Sequence, residues 1–191
     1  MLKVVAFNGS PRKEGNTFHS INVVFEELEK EGIATELIQL GSSNIKGCRA
    51  CYKCFENKDR KCMQKDDLNG FIEKMTEADG IIIGSPTYFA NVSTEVKALI
   101  DRAGLVSRAN DNLFRRKVGA AVVAARRAGA THVYSSINFF FGIGQMVIPC
   151  ASYWNLAYGR NPGEVLKDEE GIVTFRDLGR NMAWLLKKLR S

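Results

Sequence analysis

The chain has 191 residues, of which 45% are hydrophobic and 25% are charged, and its formal net charge is +6. This composition excludes a disordered chain and a fibrous repeat, and the length suits a single domain over 1–191 whose core needs no disulfide. The sequence has neither the pattern of a secretory signal nor an apolar run long enough to cross a bilayer. We therefore expect a cytoplasmic protein with reduced thiols and no membrane association.

In chain order, the first half alternates apolar runs with helical patterns. Residues 2–10 are typical of a buried strand, and residues 16–32 place apolar side chains at helical spacing. A second strand is predicted over 34–40, and a cysteine-rich segment follows it. A helix with an acidic first turn is then predicted over 66–78, and a third strand over 79–88.

The second half continues the alternation, with a helix predicted over 93–103 and a strongly apolar strand over 117–125. A helix over 131–144, a fifth strand over 145–150 and a closing helix over 175–190 complete the pattern. Such alternation predicts an α/β fold with an open parallel sheet and helices on both faces. Ligands of these sheets bind beyond the carboxyl ends of the strands, so the loops there are the candidate sites.

Some segments fall outside this pattern. The polar stretches 104–116 and 151–173 are candidates for a lid or a subunit contact. Cys150, at the end of the predicted fifth strand, is expected to be a small buried side chain. Tyr153 and Trp154 are expected to be packing or interface residues.

The loop after the first strand, NGSPRKEGNT at 8–17, has the composition of an anion site. Small residues let the backbone approach a phosphate, N–H groups at the helix start point towards it, and hydroxyl and guanidinium groups add further bonds. The loop has neither the Gly-Lys-Ser/Thr ending of a P-loop nor a G-x-G-x-x-G turn. A plain strand-to-helix turn is the alternative interpretation.

The loops after the third and fourth strands, at 84–93 and 124–130, belong to the same predicted edge of the sheet. The first offers aromatic side chains and amides that suit a flat heteroaromatic ligand, and the second offers two arginines and a glycine. Each alone is also consistent with the first turn of a helix. Three such loops at one edge favour a binding site.

Together, NGSPRKEGNT, GSPTYFANVSTEVKALIDR and VVAARRAGA resemble the NADPH-dependent FMN reductases of the flavodoxin-like superfamily. The resemblance implies a doubly wound five-stranded sheet of order 2-1-3-4-5, FMN as cofactor, NAD(P)H as co-substrate, and a homodimer or homotetramer. The first loop would hold the FMN phosphate, and the other two would contact the flavin. The residues assigned to FMN by this resemblance are Ser10, Arg12, Asn16, Thr17, Pro86, Thr87, Tyr88, Phe89, Asn91, Ala125, Arg126, Arg127 and Gly129.

Four cysteines follow the second strand, in the pattern C-x2-C-x2-C-x7-C at Cys48, Cys51, Cys54 and Cys62. The compact triplet is typical of 4Fe-4S ligation, whereas structural zinc sites usually have two separated pairs. The segment also resembles the iron-sulfur flavoproteins, relatives of the FMN reductases with a 4Fe-4S cluster on such a motif. Idle or redox-sensitive thiols and a zinc site are the alternatives.

The positive charge is concentrated around these cysteines. The loop 46–65 holds seven basic and two acidic side chains, a local excess of +5. Such a loop is typical of a solvated surface, of an anion site or of a contact with an acidic protein such as ferredoxin. Nucleic acid is not expected as a partner, because aromatic residues do not alternate with the basic ones and no reader motif is present.

These patterns predict an FMN-dependent oxidoreductase that acts on a small redox substrate and needs no catalytic side chain, because the flavin does the chemistry. Electrons would enter as hydride from NAD(P)H, or singly through a cluster from ferredoxin. One alternative is an FMN or quinone reductase without a cluster. The other is a flavodoxin-like electron carrier or redox sensor that docks an acidic partner through 46–65.

Overall fold

Five parallel strands form one sheet in the order β2-β1-β3-β4-β5. The computed structural model describes residues 1–190, and the predicted α/β class and strand order are confirmed. The strands are β1 (Lys3–Asn8), β2 (Ala34–Gln39), β3 (Gly80–Pro86), β4 (Val118–Ala125) and β5 (Leu156–Tyr158). The helices are α1 (Asn16–Lys30), α2 (Lys53–Asn57), α3 (Leu68–Glu77), α4 (Thr94–Ala109), α5 (Ala130–Ile143) and α6 (Glu169–Arg190).

The two faces of the sheet build two apolar layers, because successive side chains of a strand point to opposite faces. In β1, Val5 and Phe7 pack with α3, α4 and α5, whereas Val4 and Ala6 pack with α1 and α6. Every residue of β4 is buried, as its uniformly apolar sequence predicts for an interior strand. Helices therefore cover both faces of the sheet, and the edge where the strands end is the part that a ligand can reach.

The fifth strand differs from the prediction. Within the segment 145–150, Val147 makes only an isolated bridge to Val118, and β5 lies further along at Leu156–Tyr158, beside the carboxyl half of β4. Gln145 has a φ of 55°, which is incompatible with a strand. The segment 145–150 and β5 thus flank different ends of β4, and a loop lies between them.

Other predictions are also corrected. Helix α4 continues to Ala109, so the first part of the segment 104–116 is helical and buries Val106 rather than forming a lid. Helix α6 begins at Glu169, within the second polar segment. Cys150 is exposed, because it lies in the loop after Val147 and not in a buried strand. Within residues 1–190, no helix is both long enough and apolar enough to span a membrane.

The close packing after β2 generates a stability prediction. A Cβ atom on Gly41 would lie 2.1 Å from the Ser10 carbonyl oxygen and 2.3 Å from its carbon, both of them backbone atoms that cannot rotate away. We expect Gly41→Ala to lower the free energy of unfolding by about 1–3 kcal/mol, as overpacking does. Chemical denaturation measures this.

The control is Gly142→Ala, because Gly142 lies in α5 and a Cβ there would meet nothing within 4 Å. Alanine favours a helix over glycine by up to about 1 kcal/mol, so this variant should be as stable as the unmodified protein or more stable. Equal losses in both variants would contradict the packing argument.

Candidate functional site

The loop after β1 is held in shape by two polar side chains at the ends of neighbouring strands. The Asn8 amide donates to Gln39 Oε1 at 2.8 Å, and its Oδ1 accepts the Ser10 N–H at 3.1 Å. Gln39 Nε2 donates to the Ser10 carbonyl at 2.6 Å, and Ser10 Oγ accepts the Arg12 N–H at 3.2 Å. These bonds fix the backbone of the loop before any ligand binds.

The loop leads directly into the amino terminus of α1. The helix begins at Asn16 after Gly15, which provides no side-chain cap, and its first turn holds no acidic residue. Thr17 in that turn is almost completely buried. The unpaired N–H groups and positive dipole end of a helix start attract anions. This end of α1 therefore suits a phosphate group.

One cavity brings four strand-end loops together. Its volume is about 180 Å³, below the ~300–1,000 Å³ of most small-molecule pockets, so it fits the anionic end of a ligand whose ring lies further out. Three arginines, at positions 12, 126 and 160, provide positive charge. The lining residues are Ser10, Arg12, Asn16, Thr17, Pro86, Thr87, Tyr88, Ala124, Ala125, Arg126, Gly159 and Arg160.

Thr87 provides an independent sign that the cavity takes a polar ligand. Its hydroxyl oxygen is buried, and no group within residues 1–190 forms a hydrogen bond with it. Its backbone N–H donates to the Ala124 carbonyl at 2.9 Å, which fixes the residue at the ends of β3 and β4. A buried hydroxyl without a partner is unfavourable, and a bound ligand with a polar atom relieves this cost.

Gly159 and Arg160, after β5, were missed by sequence reasoning because the fifth strand was placed too early. The Gly159 N–H donates to the Ala125 carbonyl at 2.9 Å, and a Cβ there would lie 2.8 Å from Asn16 Nδ2. Hydrogen bonds from the Asn161 backbone and side chain and from the Arg160 N–H lower the pKa of Glu164 to about 2. The short run LAY before Gly-Arg was the signal for this loop.

Four of the thirteen residues predicted for FMN do not line this cavity, and two of them lie in the turn after β3. Tyr88 and Asn91 pair through their backbones, and Phe89 and Ala90 between them have φ values of 48° and 58°, as in a tight two-residue turn. The Phe89 side chain is fully exposed at the tip of this turn. The Asn91 side chain accepts the N–H of the next residue. The predicted residues absent from the lining are Phe89, Asn91, Arg127 and Gly129.

The four predicted cysteines also meet, at a second cavity. Cys48, Cys51, Cys54 and Cys62 are all free thiols and all line it. Cys48 and Cys51 are exposed, and the enclosed part of the cavity is small, about 20 Å³. Within residues 1–190, no three His, Cys, Asp or Glu side chains converge in an arrangement that holds a metal ion. The four thiols therefore line one small cavity.

The backbone of the cysteine loop curves through unusual conformations. Ala50, Tyr52, Lys58 and Arg60 all have φ values between 50° and 62°, in the left-handed region that non-glycine residues rarely adopt. The Ala50 N–H points at Cys48 Sγ, 3.4 Å away. Such conformations persist only where the surroundings enforce them, and they cluster at functional sites. The short helix α2 lies within this curved stretch.

A buried ion pair lies beneath the cysteine loop. The side chains of Arg102 on α4 and Asp66 are 0% and 2% exposed, and they are joined at 2.5 Å. Burial alone would raise the pKa of the Asp66 carboxyl, but hydrogen bonds from Arg102 and from the N–H groups of Lys46 and Leu68 outweigh it, so the pKa lies below its usual value. Burial raises the pKa of the Cys54 thiol.

Comparisons with known proteins show the family of the chain. The family model of NADPH-dependent FMN reductases matches residues 2–160. An iron-sulfur flavoprotein of Methanocaldococcus jannaschii is 38% identical over 99% of this chain and 100% of its own length. An iron-sulfur flavoprotein of Archaeoglobus fulgidus is 39% identical over 89% of this chain and 83% of its own.

Solved structures share the fold at lower sequence identity. RosB with bound 8-demethyl-8-formylriboflavin-5′-phosphate superposes with a TM-score of 0.76 at 20% identity, over all of this chain and 81% of its own. A flavodoxin from the Archaea has a TM-score of 0.63 at 16% identity, over 98% of this chain and 99% of its own. The fold is thus flavodoxin-like. The chain belongs to the NADPH-dependent FMN reductase family and is related over its whole length to the iron-sulfur flavoproteins.

Proposed function

We propose that this protein is an FMN-dependent oxidoreductase that receives single electrons through a 4Fe-4S cluster on its cysteine loop and passes them to FMN. The observation that carries the proposal is the presence of two separate donor sets in the fold. One is a cavity with arginines and a helix start, and the other is a cavity with four thiols. Bound FMN accepts electrons singly or as hydride, which lets it connect one-electron and two-electron partners.

The residues of the first cavity suit FMN. Arg12 and the start of α1 would hold the phosphate, because both favour an anion with several acceptor oxygens. Thr87 would use its unpartnered hydroxyl on a polar atom of the ligand. Tyr88, about half exposed at the mouth, offers an aromatic side chain near the flavin ring. The shared fold of flavin-binding relatives supports this assignment.

The second cavity suits a cluster by the chemistry of its donors. Four thiols line it, and thiolates are the usual ligands of 4Fe-4S clusters. Basic side chains surround the loop and offset the negative charge of a thiolate-bound cluster. The relatives named iron-sulfur flavoproteins support the same assignment. The residues that would ligate the cluster are Cys48, Cys51, Cys54 and Cys62.

The electron donor we propose is an acidic one-electron carrier such as ferredoxin. All seven basic residues of the loop 46–65 are exposed, so they present a positive surface around the thiols. A surface of this kind attracts an acidic partner and accelerates its association at low ionic strength. The family description favours a second candidate, in which NAD(P)H reduces FMN directly and the cysteines serve no electron transfer.

The phosphate assignment predicts a selective effect of Arg12→Ala. Loss of a charge-assisted hydrogen bond costs about 1.5–3 kcal/mol, so FMN affinity should fall roughly 10- to 100-fold. Riboflavin lacks the phosphate, and its affinity should stay the same. Titration of protein into each flavin, followed by flavin fluorescence, measures both values.

Lys13→Ala provides the matched control for charge. Lys13 is the next residue and is also exposed, but it lines a different cleft. This variant should bind FMN as the unmodified protein does. Unchanged FMN affinity in Arg12→Ala, or an equal loss for riboflavin, would remove Arg12 from the phosphate site.

The cluster assignment predicts the metal content. Protein purified without oxygen should contain about four iron and four sulfide per chain, with visible absorption beyond the flavin bands. Cys51→Ser should lose most of this iron. Cys150→Ser should keep it, because Cys150 lies outside the cavity lined by the other four cysteines, the thiol cavity. Flavin bands without iron in the unmodified protein would support the second candidate, a reductase without a cluster.

A further inference from the structure

Arg102 is a fully buried charge that the FMN and thiol assignments leave unexplained. It projects from the middle of α4, and its guanidinium faces the loop that carries the cysteines. One terminal nitrogen donates to Asp66 Oδ2 at 2.5 Å, and the other to Asp66 Oδ1 at 3.0 Å. Taking two charges out of water is costly, and apolar side chains often stabilise such a position better. The ion pair therefore calls for an explanation beyond core stability.

The same guanidinium holds both ends of the cysteine loop. One nitrogen donates to the Lys46 carbonyl at 2.8 Å, two residues before the first cysteine, and the other donates to Cys62 Sγ at 3.2 Å. The Lys46 N–H in turn donates to Asp66 Oδ2. Arg102, on the long helix α4, thus forms hydrogen bonds with the start of the loop, with its last cysteine and with Asp66.

Cys62 is additionally fixed by its backbone. Its N–H donates to Asn69 Oδ1 at 2.8 Å, and its carbonyl accepts from Asn69 Nδ2 at 2.9 Å. Because the backbone is held by Asn69 on α3, the contact of Arg102 with the sulfur acts on the orientation and electrostatic surroundings of the thiol. The other three cysteines have no comparable contact with a buried charge within residues 1–190.

We propose that Arg102 is a positioning residue for the cluster: it orients Cys62 as the fourth ligand and raises the reduction potential by its hydrogen bond and charge. The inference rests on the proposed function, since it requires a cluster on the four thiols. Hydrogen bonds to ligating sulfurs and nearby positive charge both stabilise the reduced, more negative state of a cluster. Arg102 also keeps the loop ends together before a cluster binds, because its hydrogen bonds to Lys46, Cys62 and Asp66 form without one.

The position of Arg102 also links the two cavities. Helix α4 is capped by Ser93, whose hydroxyl accepts the Val96 N–H and whose own N–H donates to Ser85 Oγ at the end of β3. Nine residues separate Ser93 from Arg102, about 14 Å along a helix. One rigid helix thus begins at the loop of the FMN cavity and holds the last cysteine of the thiol cavity.

The test compares Arg102→Lys with Arg108→Lys. Lysine keeps the charge at 102 but lacks the planar fork needed to reach Asp66, Lys46 and Cys62 together. Arg108 lies on the same helix, is exposed, and is outside both cavities. The measurements are iron loss to a chelator, the reduction potential of the cluster, and hydrogen exchange of the 46–66 amides in iron-free protein.

We expect Arg102→Lys to lose iron about 10- to 100-fold faster, as is typical when an outer-shell partner of a metal ligand is removed. Its reduction potential should shift to more negative values, and the 46–66 amides should exchange faster in the iron-free protein. Arg108→Lys should match the unmodified protein in all three. A merely structural role would change exchange and melting temperature but leave the potential unchanged.

A double variant, Arg102→Gln with Asp66→Asn, repeats the test if Arg102→Lys does not fold. It replaces the buried ion pair by neutral amides, so no charge is left buried without its partner, and it should shift the potential in the same direction. Unmodified protein without iron would overturn both the proposed function and this inference. Unmodified protein with iron, and Arg102 variants equal to Arg108→Lys in iron loss and potential, would overturn this inference alone.

Discussion

The parallel pairing of β1 with β3, which runs in register from Val4 beside Gly80 to Asn8 beside Gly84, determines where the chemistry of this protein lies. These two strands are neighbours in the sheet but are separated in sequence by β2 and the cysteine loop. Their following loops diverge to opposite faces, which opens a crevice at their carboxyl ends. The Gly9 N–H still bonds the Gly84 carbonyl at 2.8 Å, so the two loops leave the sheet from fixed positions.

The same strand order places the cysteine loop in the connection from β2 to β3. The chain leaves β1 through α1 to reach β2 at the edge of the sheet, and it must return across α3 to enter β3. The cysteine loop lies on this return path, between β2 and α3. The loop is held by polar bonds from α3, from α4 and from the residue after α4, through Asn69, Arg102 and Asn110. Its shape therefore depends on side chains that come later in the sequence.

The sequence predicts those parts of the structure that are determined by residues close together in the chain. Strands β1 to β4, the loop 8–17 and the cysteine spacing each depend on neighbouring residues, and the structure brings nine of the thirteen residues predicted for FMN to one cavity. Strand β5 was misplaced because the apolar segment 145–150 begins at the left-handed Gln145 and makes only an isolated bridge to β4. That error concealed Gly159 and Arg160. Arg102 was missed because a helical pattern does not reveal which charged side chain turns inward.

The transfer of electrons through the cysteine loop to FMN is the central claim, and anaerobic rapid mixing with photoreduced ferredoxin tests it most directly. Bleaching of the flavin absorbance would be followed in the unmodified protein and in Cys51→Ser, both loaded with FMN. The account predicts rapid bleaching in the unmodified protein and bleaching no faster than that of free FMN in Cys51→Ser. Equal rates in the two proteins would show that electrons reach FMN without the cysteines, and would contradict the account.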